Sequence, residues 1–366
     1  MLQAYTNGNI ATPNGWLKDH TILTEYGEVK AIVPNAEAPA DAVDLNGHYI
    51  APAFIDMQIY GGNGQLFSLY PSVHSLAAVY EYSKSGGAAY FMATIPTSSP
   101  ELMSEAMQAV KDYWAQGGQG LLGLHLEGPF MNPVKKGAHI EGFIKSPTTE
   151  DIDWILDEGR DVVKIMTLAP ERCDPVLVKR MMDAGIIISA GHSNATYGEA
   201  YAAFEYGIPA ATHLFNAMSP FQHREPGMVG AIYDHPRVLA SVVADGVHVD
   251  FNAIRISKKI LGDRLFLITD AVEENTRGTY QYLRRGDRFV TENDVLAGSC
   301  LTMLQAVKNC VEKVGIELSE ALKMASEYPA RLLKRETPLG VIAPGYEAAF
   351  VVLDEALELK QLILPQ

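Results

Sequence analysis

The stretch APAFIDMQIYGG, Ala51 to Gly62, is an apolar run that follows a proline and ends on two glycines. Such a run reads as a buried strand closed by a turn. Asp56 and Gln58 stand two residues apart near its end. Alternate residues of a strand point to the same face, so this acid and this amide project together.

Seven runs of the same kind follow: AAYFMATI (88–95), LLGLHLEG (121–128), VVKIMTLAP (162–170), GIIISAGHS (185–193), AATHLFNAM (210–218), LASVVADGVHV (239–249) and LFLITDA (265–271). Amphipathic stretches such as SVHSLAAVYEYSKSG (72–86) and PELMSEAMQAVKDYWAQ (100–116) separate most of them, with the spacing of helices. Eight strand–helix alternations predict an α/β fold, a (β/α)8 TIM-like barrel. The two chain ends read differently. Residues 1–50 are short β segments broken by NGN, PNG, EYGE and LNGH, and β character returns in PLGVIAPGYEAAFVVLD (338–354). The ends are expected to join as a small β-sandwich domain, 1–50 plus 339–366, beside a catalytic barrel of residues 51–338.

The chain has 366 residues, 48% apolar, with a net charge of −15. A charge of that sign repels polyanions and anionic bilayers, so neither a nucleic-acid nor a membrane partner is expected. A small phosphate ligand held by local donors is compatible with it. Cys173, Cys300 and Cys310 form no CxxC pair, which suits a reducing compartment. The N-terminus MLQAYTNGNI lacks the charged and apolar regions of a signal peptide. No apolar run approaches the ~18 residues of a membrane span. A cytoplasmic protein is expected.

In such barrels the active site lies at the C-terminal ends of the strands. Glu127 stands just before a Gly-Pro turn, His192 past the last apolar residue of its run, and His213 within its run. Asp245 and His248 close the seventh run and Asp270 the eighth. Singly, each is more simply a hydrogen-bonded structural residue or a turn former. Together they would converge on one barrel mouth, and burying that many polar groups without purpose is costly. A metal or catalytic site is the better reading. One carboxylate with two imidazoles is the composition of catalytic zinc sites, with room for water. Asp270 would stand beside that water, free to take its proton.

The motifs HLEGPF, KKGAH, SAGHSNAT, THLFNAM, REPG, ADGVHVD, TDA and LAGSCLTM, in this order, closely resemble the N-acetylglucosamine-6-phosphate deacetylases of the amidohydrolase superfamily. The resemblance implies one divalent metal per subunit, zinc by preference, on Glu127, His192 and His213, with Asp270 as the catalytic acid and base. It places substrate contacts on Ala138, His139, Asn216, Ala217, Arg224, His248, Leu296, Ala297 and Gly298. It implies deacetylation of N-acetylglucosamine 6-phosphate in amino-sugar catabolism, and a homodimer. Many amidohydrolases carry a His-x-His pair for a second metal on the first strand. Asp56 and Gln58 are read here as that pair's vacated position, which predicts a single metal. The segment AVEENTRGTYQYLRRGDRFVTEND (271–294) is the least family-like part, and it is expected to be a lid or hairpin over the site. Two alternatives stay open: the galacto epimer or a non-sugar N-acyl compound as substrate, and a metal-free barrel that only binds.

Overall fold

The computed structural model describes residues 2–333 and 338–366. Residues 334–337, which the expected barrel division includes, lie outside the described residues. Eight parallel strands pair in chain order: Phe54–Ile59, Ala88–Pro96, Leu121–Glu127, Val163–Leu168, Ile187–Ala190, Ala210–Ala211, Leu239–Val243 and Leu265–Ile268. The first and eighth meet through backbone bonds. The Asp270 N–H donates to the Gln58 carbonyl at 3.0 Å, and the Tyr60 N–H to the Ala271 carbonyl at 2.9 Å. The predicted (β/α)8 barrel is therefore the fold, and its seam runs beside Asp270.

The apolar runs follow from double burial. Each strand has the barrel interior on one side and a helix layer on the other. All nine residues of Ala88–Pro96 are buried. The two amphipathic stretches form the helices Val73–Ser85 and Pro100–Ala115. Their starts are fixed by Ser72, in a reciprocal cap with Ser75, and by Ser99 ahead of Pro100.

Two further sheets lie outside the barrel. One orders Leu359–Ile363, Phe350–Leu353, Tyr49–Pro52, Asn9–Thr12 and Gly15–Leu17. The other orders Glu28–Pro34, His20–Glu25, Gln3–Thr6 and Val43–Asp44. A separate apolar core, including Ile10, Ile22, Val29, Ile50, Phe350 and Val352, joins residues from both chain ends. Only Ala53 separates Tyr49–Pro52 from the first barrel strand.

After the eighth strand the chain forms a three-stranded antiparallel sheet, Leu283–Arg285, Arg288–Val290 and Leu296–Ser299. Its last strand is tied behind Asp270 by Ser299 N–H to the Asp270 carbonyl at 2.9 Å. Gly298 permits that approach, because a Cβ there would sit 2.6 Å from Val272 and 3.0 Å from the Asp270 carbonyl. The expected hairpin is thus present, extended by a third strand.

Candidate active site

Glu127 is the last residue of the third strand. His192, His213 and Asp270 each stand two residues past a strand end, at Ala190, Ala211 and Ile268. All three take left-handed backbone, with φ of 47°, 37° and 54°. Such a conformation costs a side-chain-bearing residue about 1–3 kcal/mol and persists only where its surroundings impose it. Here they do. His213 N–H donates to Ser241 Oγ at 2.8 Å, the Asn132 N–H donates to the His192 carbonyl at 2.9 Å, and Asp270 N–H holds the barrel seam.

The side chains converge on the Glu127 carboxylate, which is 2% exposed. Its Oε1 lies 3.0 Å from His213 Nε2 and 3.4 Å from His192 Nε2, and the two imidazole nitrogens are 3.1 Å apart. A tetrahedral ion with ligands at ~2.0–2.1 Å spaces its donor atoms about 3.3 Å apart. The triangle has those edges. His192 Nδ1 faces the Lys135 carbonyl at 2.8 Å. A carbonyl only accepts, so Nδ1 carries the proton and the Nε2 lone pair is free for an ion. Burial pushes His192 down to about 4, so it is neutral at physiological pH. Burial also disfavours the charge on His213, but its bond to Glu127 outweighs this and holds it above the ordinary value. Without an ion, the proton that separates the facing imidazoles therefore resides on His213.

A second Glu/His/His set shares this carboxylate: one donor atom each of Glu127, His139 and His192 lies within 4.8 Å of the others. The hydrogen bonds of His139 decide against it as a ligand. Its Nδ1 accepts the Thr97 backbone N–H at 3.1 Å. Its Nε2 must then carry the proton and donate it to Glu127 Oε2, 3.0 Å away. The lone pair an ion needs is spent on an amide that cannot yield it. Burial pushes the Glu127 carboxyl up, but His139 and His192 more than offset this and hold it well below the usual range.

Asp270 lies beside this set. Its Oδ1 accepts from Gln58 Nε2 at 2.8 Å, and the same nitrogen reaches Glu127 Oε1 at 3.0 Å. Burial, and then the negative charge of Glu127, raise the Asp270 carboxyl above its ordinary value. His248 Nε2 faces Asp270 Oδ2 at 3.8 Å. The other ring nitrogen of His248 donates to Asp245 Oδ2 at 2.6 Å, and Asp245 Oδ1 accepts the Val247 and His248 backbone N–H groups at 2.8 Å each. Burial would raise Asp245, but His248 and these backbone donors keep it below the usual range.

Of the residues picked from sequence, Glu127, Ala138, His139, His192, His213, Asn216, Ala217, His248, Asp270, Leu296 and Ala297 line this one cavity. Gly298 sits behind it, as described above. Arg224 is exposed on the loop after Asn216 and is not part of its wall. Among the described residues Arg224 makes no ion pair, so the local pair with Glu225 that its position suggests does not form. The first strand departs from expectation. Asp56 lies one layer deeper, bonded by the Thr269 hydroxyl at 2.5 Å and backbone N–H at 3.2 Å, and does not line the cavity. Tyr60 does: its hydroxyl donates a short bond to Glu127 Oε2 and accepts from Gln58 Nε2 at 2.9 Å. The pair that meets the site carboxylates is therefore Gln58 and Tyr60, and of the two Tyr60 lines the cavity. Period-two alternation links Asp56, Gln58 and Tyr60 equally, and only the level at which the barrel opens separates them. Tyr280 and Tyr282 of the hairpin also line the cavity, and no feature of their sequence context marks them.

The sequence profile of the amidohydrolase family matches residues 49–364. An N-acetylglucosamine-6-phosphate deacetylase of Haemophilus influenzae is 36% identical over 365 residues, covering 96% of this chain and 95% of that protein. An N-acetylgalactosamine-6-phosphate deacetylase of Escherichia coli O157:H7 is 30% identical over 364 residues, with 96% and 95% covered. The crystal structure of N-acetylglucosamine-6-phosphate deacetylase from Pasteurella multocida superimposes with a TM-score of 0.95 at 33% identity, covering 100% of this chain and 98% of that one. By sequence over most of its length and by fold over all of it, the chain belongs to the amidohydrolase family.

Proposed function

We propose that this protein removes the acetyl group of N-acetylglucosamine 6-phosphate by hydrolysis, giving glucosamine 6-phosphate and acetate in amino-sugar catabolism. The observation that carries this is the triangle of Glu127 Oε1, His192 Nε2 and His213 Nε2 with edges of 3.0–3.4 Å, beside a carboxylate of raised pKa, Asp270. A single divalent ion, zinc by preference, fits that triangle; when bound it lowers the pKa of a water and polarises the acyl carbonyl.

The remaining work belongs to the chain. Asp270 accepts the proton of the attacking water as the C–O bond forms. It then returns that proton to the amine nitrogen as the C–N bond breaks. A raised pKa suits both halves of this exchange. His248 is oriented by Asp245 through its Nδ1–H, and its Nε2 would donate to the oxyanion only with both ring nitrogens protonated. Gln58 steadies Asp270 through the bond to its Oδ1. Phe215 and Ala217 take left-handed backbone, with φ of 78° and 49°; the Asn216 N–H is spent on the His213 carbonyl at 2.9 Å, which leaves the Ala217 N–H and the Asn216 side-chain amide as donors at the cavity wall. The Asn216–Ala217 segment is therefore the in-chain site for the phosphate. Arg224 lies seven residues beyond Ala217 on an exposed loop with Phe221, which is 57% exposed. We assign both to a homodimer interface, where Arg224 reaches a neighbour's phosphate. The division into a barrel (51–338) and a small domain (1–50 plus 339–366) and a cytoplasmic location belong to the same reading. Among the described residues no helix is long and apolar enough to cross a membrane.

The test combines metal analysis with acetate release from N-acetylglucosamine 6-phosphate, its galacto epimer and unphosphorylated N-acetylglucosamine. One metal per chain and strong preference for the phosphorylated gluco sugar are expected. Preference for the galacto epimer would reassign the substrate. Equal use of the unphosphorylated sugar would remove the phosphate from the reading. A metal-free protein that added zinc does not activate would leave only a binding role.

A further inference from the structure

Glu171 lies in the turn Pro170–Arg172, directly after the fourth barrel strand, and outside the cavity wall. Among the described residues its carboxylate forms no ion pair. Instead it accepts three hydrogen bonds from two other loops. Oε1 takes the Asn132 side-chain amide at 3.0 Å and the Asn194 backbone N–H at 2.7 Å, and Oε2 takes the Ser193 hydroxyl at 2.7 Å. Ser193 and Asn194 immediately follow His192. Asn132 follows Glu127 by five residues.

We infer that Glu171 is a positioning residue for His192, acting on its backbone and its ring at once; this rests on His192 being a metal ligand, as proposed above. The backbone arm is direct. His192 is left-handed at φ 47°, and the residues that must hold it there, Ser193 and Asn194, are pinned to the Glu171 carboxylate. The ring arm runs through Asn132. The Asn132 side-chain oxygen accepts the Val134 N–H at 3.0 Å and starts the turn Pro133–Lys135. The Lys135 carbonyl at its end receives His192 Nδ1–H at 2.8 Å. The Asn132 N–H also donates to the His192 carbonyl at 2.9 Å. One carboxylate thus closes both paths that aim Nε2 at Glu127 and His213. Asn132 touches both as well, and its side-chain amide is itself held by Glu171. Alanine at this place would take the acceptor from the Asn132 amide, the Asn194 N–H and the Ser193 hydroxyl together, and the left-handed turn would relax.

The test uses the full-length protein loaded with zinc and measures zinc affinity by competition with a chelating dye, alongside kinetics at saturating zinc. Partners that orient a metal ligand are typically worth 10–100-fold in metal affinity, so Glu171→Ala should weaken zinc by about that factor. KM should stay unchanged, because Glu171 does not touch the cavity. Glu171→Gln keeps an oxygen for the two N–H donors and should retain zinc affinity within about threefold. Asn132→Ala cuts the ring arm alone and should fall between the two. Folded Glu171→Ala protein that binds zinc as tightly as the wild type overturns the inference. If that variant does not fold, unchanged zinc affinity in both Asn132→Ala and Ser193→Ala overturns it. Wild-type protein without zinc affinity would instead overturn the parent reading, so the two failures are distinct.

Discussion

Asp270→Asn isolates the proton transfer from everything else in the site. Asparagine keeps the size of the side chain and an oxygen that can accept Gln58 Nε2, now at 2.8 Å. It also tolerates the left-handed backbone at φ 54° better than most residues. The turn, the barrel seam and the ion triangle should therefore survive. Only the ability to take a proton is lost. A positioned general base is worth about 10²–10⁴ in rate, or roughly 2.7–5.5 kcal/mol of barrel-mouth chemistry. The assay is acetate release as a function of pH, with zinc content measured on the same samples. Burial, then the Glu127 charge, lifts Asp270 above the usual carboxylate range, against the opposing pull of His213 and His248. The active form is the carboxylate. Wild-type kcat/KM should then decline, as pH falls, at a higher pH than a free aspartate's value of about 3.9 would give. The variant should be slow at every pH and lack that acid limb. A variant with full zinc and activity within tenfold of the wild type would refute the reasoning, and so would a variant that kept the same acid limb.

Four further outcomes follow from other groups. Burial lifts Asp56 from 3.8 to about 7, with the Thr269 bonds pulling the other way. The folded protein then binds a proton that the unfolded chain releases, so this residue's contribution declines as pH rises from about 4 to about 7. The span is worth roughly 4 kcal/mol, and Asp56→Asn should flatten it and raise the melting temperature at pH 8. The Tyr280 hydroxyl donates to the Thr97 carbonyl at 2.6 Å and accepts the Ile140 N–H at 3.3 Å. Tyr280→Phe strands both groups at about 1–3 kcal/mol each and should loosen the hairpin, seen as faster amide exchange over residues 280–299 and a higher KM. Arg224→Ala should raise KM about tenfold or more for a phosphorylated substrate, the loss expected of a charge-assisted pair, and leave turnover of an unphosphorylated one unchanged. Metal analysis should find one equivalent per chain, removable by a chelator together with activity; two equivalents would contradict the filling of the second position by Gln58 and Tyr60.

The sequence displayed the barrel because its strands are buried on both sides, which writes eight apolar runs into the chain. Even the sixth strand, reduced to Ala210–Ala211, stood out through the apolar residues that continue past it. The ionisable residues of the site were visible for a related reason: Glu127, His192, His213 and Asp270 interrupt those runs where strands end. Depth was not visible. Asp56 and Tyr60 share a face with Gln58, but one lies beneath the mouth and the other in it, and alternation carries no height. Glu171 was invisible because its partners are neutral donors on loops far away in sequence. Arg224 could not be placed by sequence, since one chain's fold leaves it outside its own cavity.

Gln58 shows why the site suits one ion with an adjacent base. Its Nε2 lies within reach of Asp270 Oδ1 (2.8 Å), Tyr60 Oη (2.9 Å) and Glu127 Oε1 (3.0 Å). Two hydrogens serve three acceptors. The orientation of the amide is fixed by this company, because its oxygen would be repelled by two carboxylates. An amide supplies hydrogen bonds without supplying a charge. Glu127 therefore still acts on Asp270 and keeps its proton affinity high. A second cation at this position would neutralise that influence and lower the Asp270 pKa, making it a poorer acceptor for the proton of water. The over-subscribed amide also eases the change in Asp270 during turnover. Once Asp270 is protonated it needs the Gln58 hydrogen less, and the hydrogen can settle on Tyr60 or Glu127 with little movement. The same neutral side chain thus excludes a second ion, leaves the base basic, and stays satisfied in both of the base's protonation states.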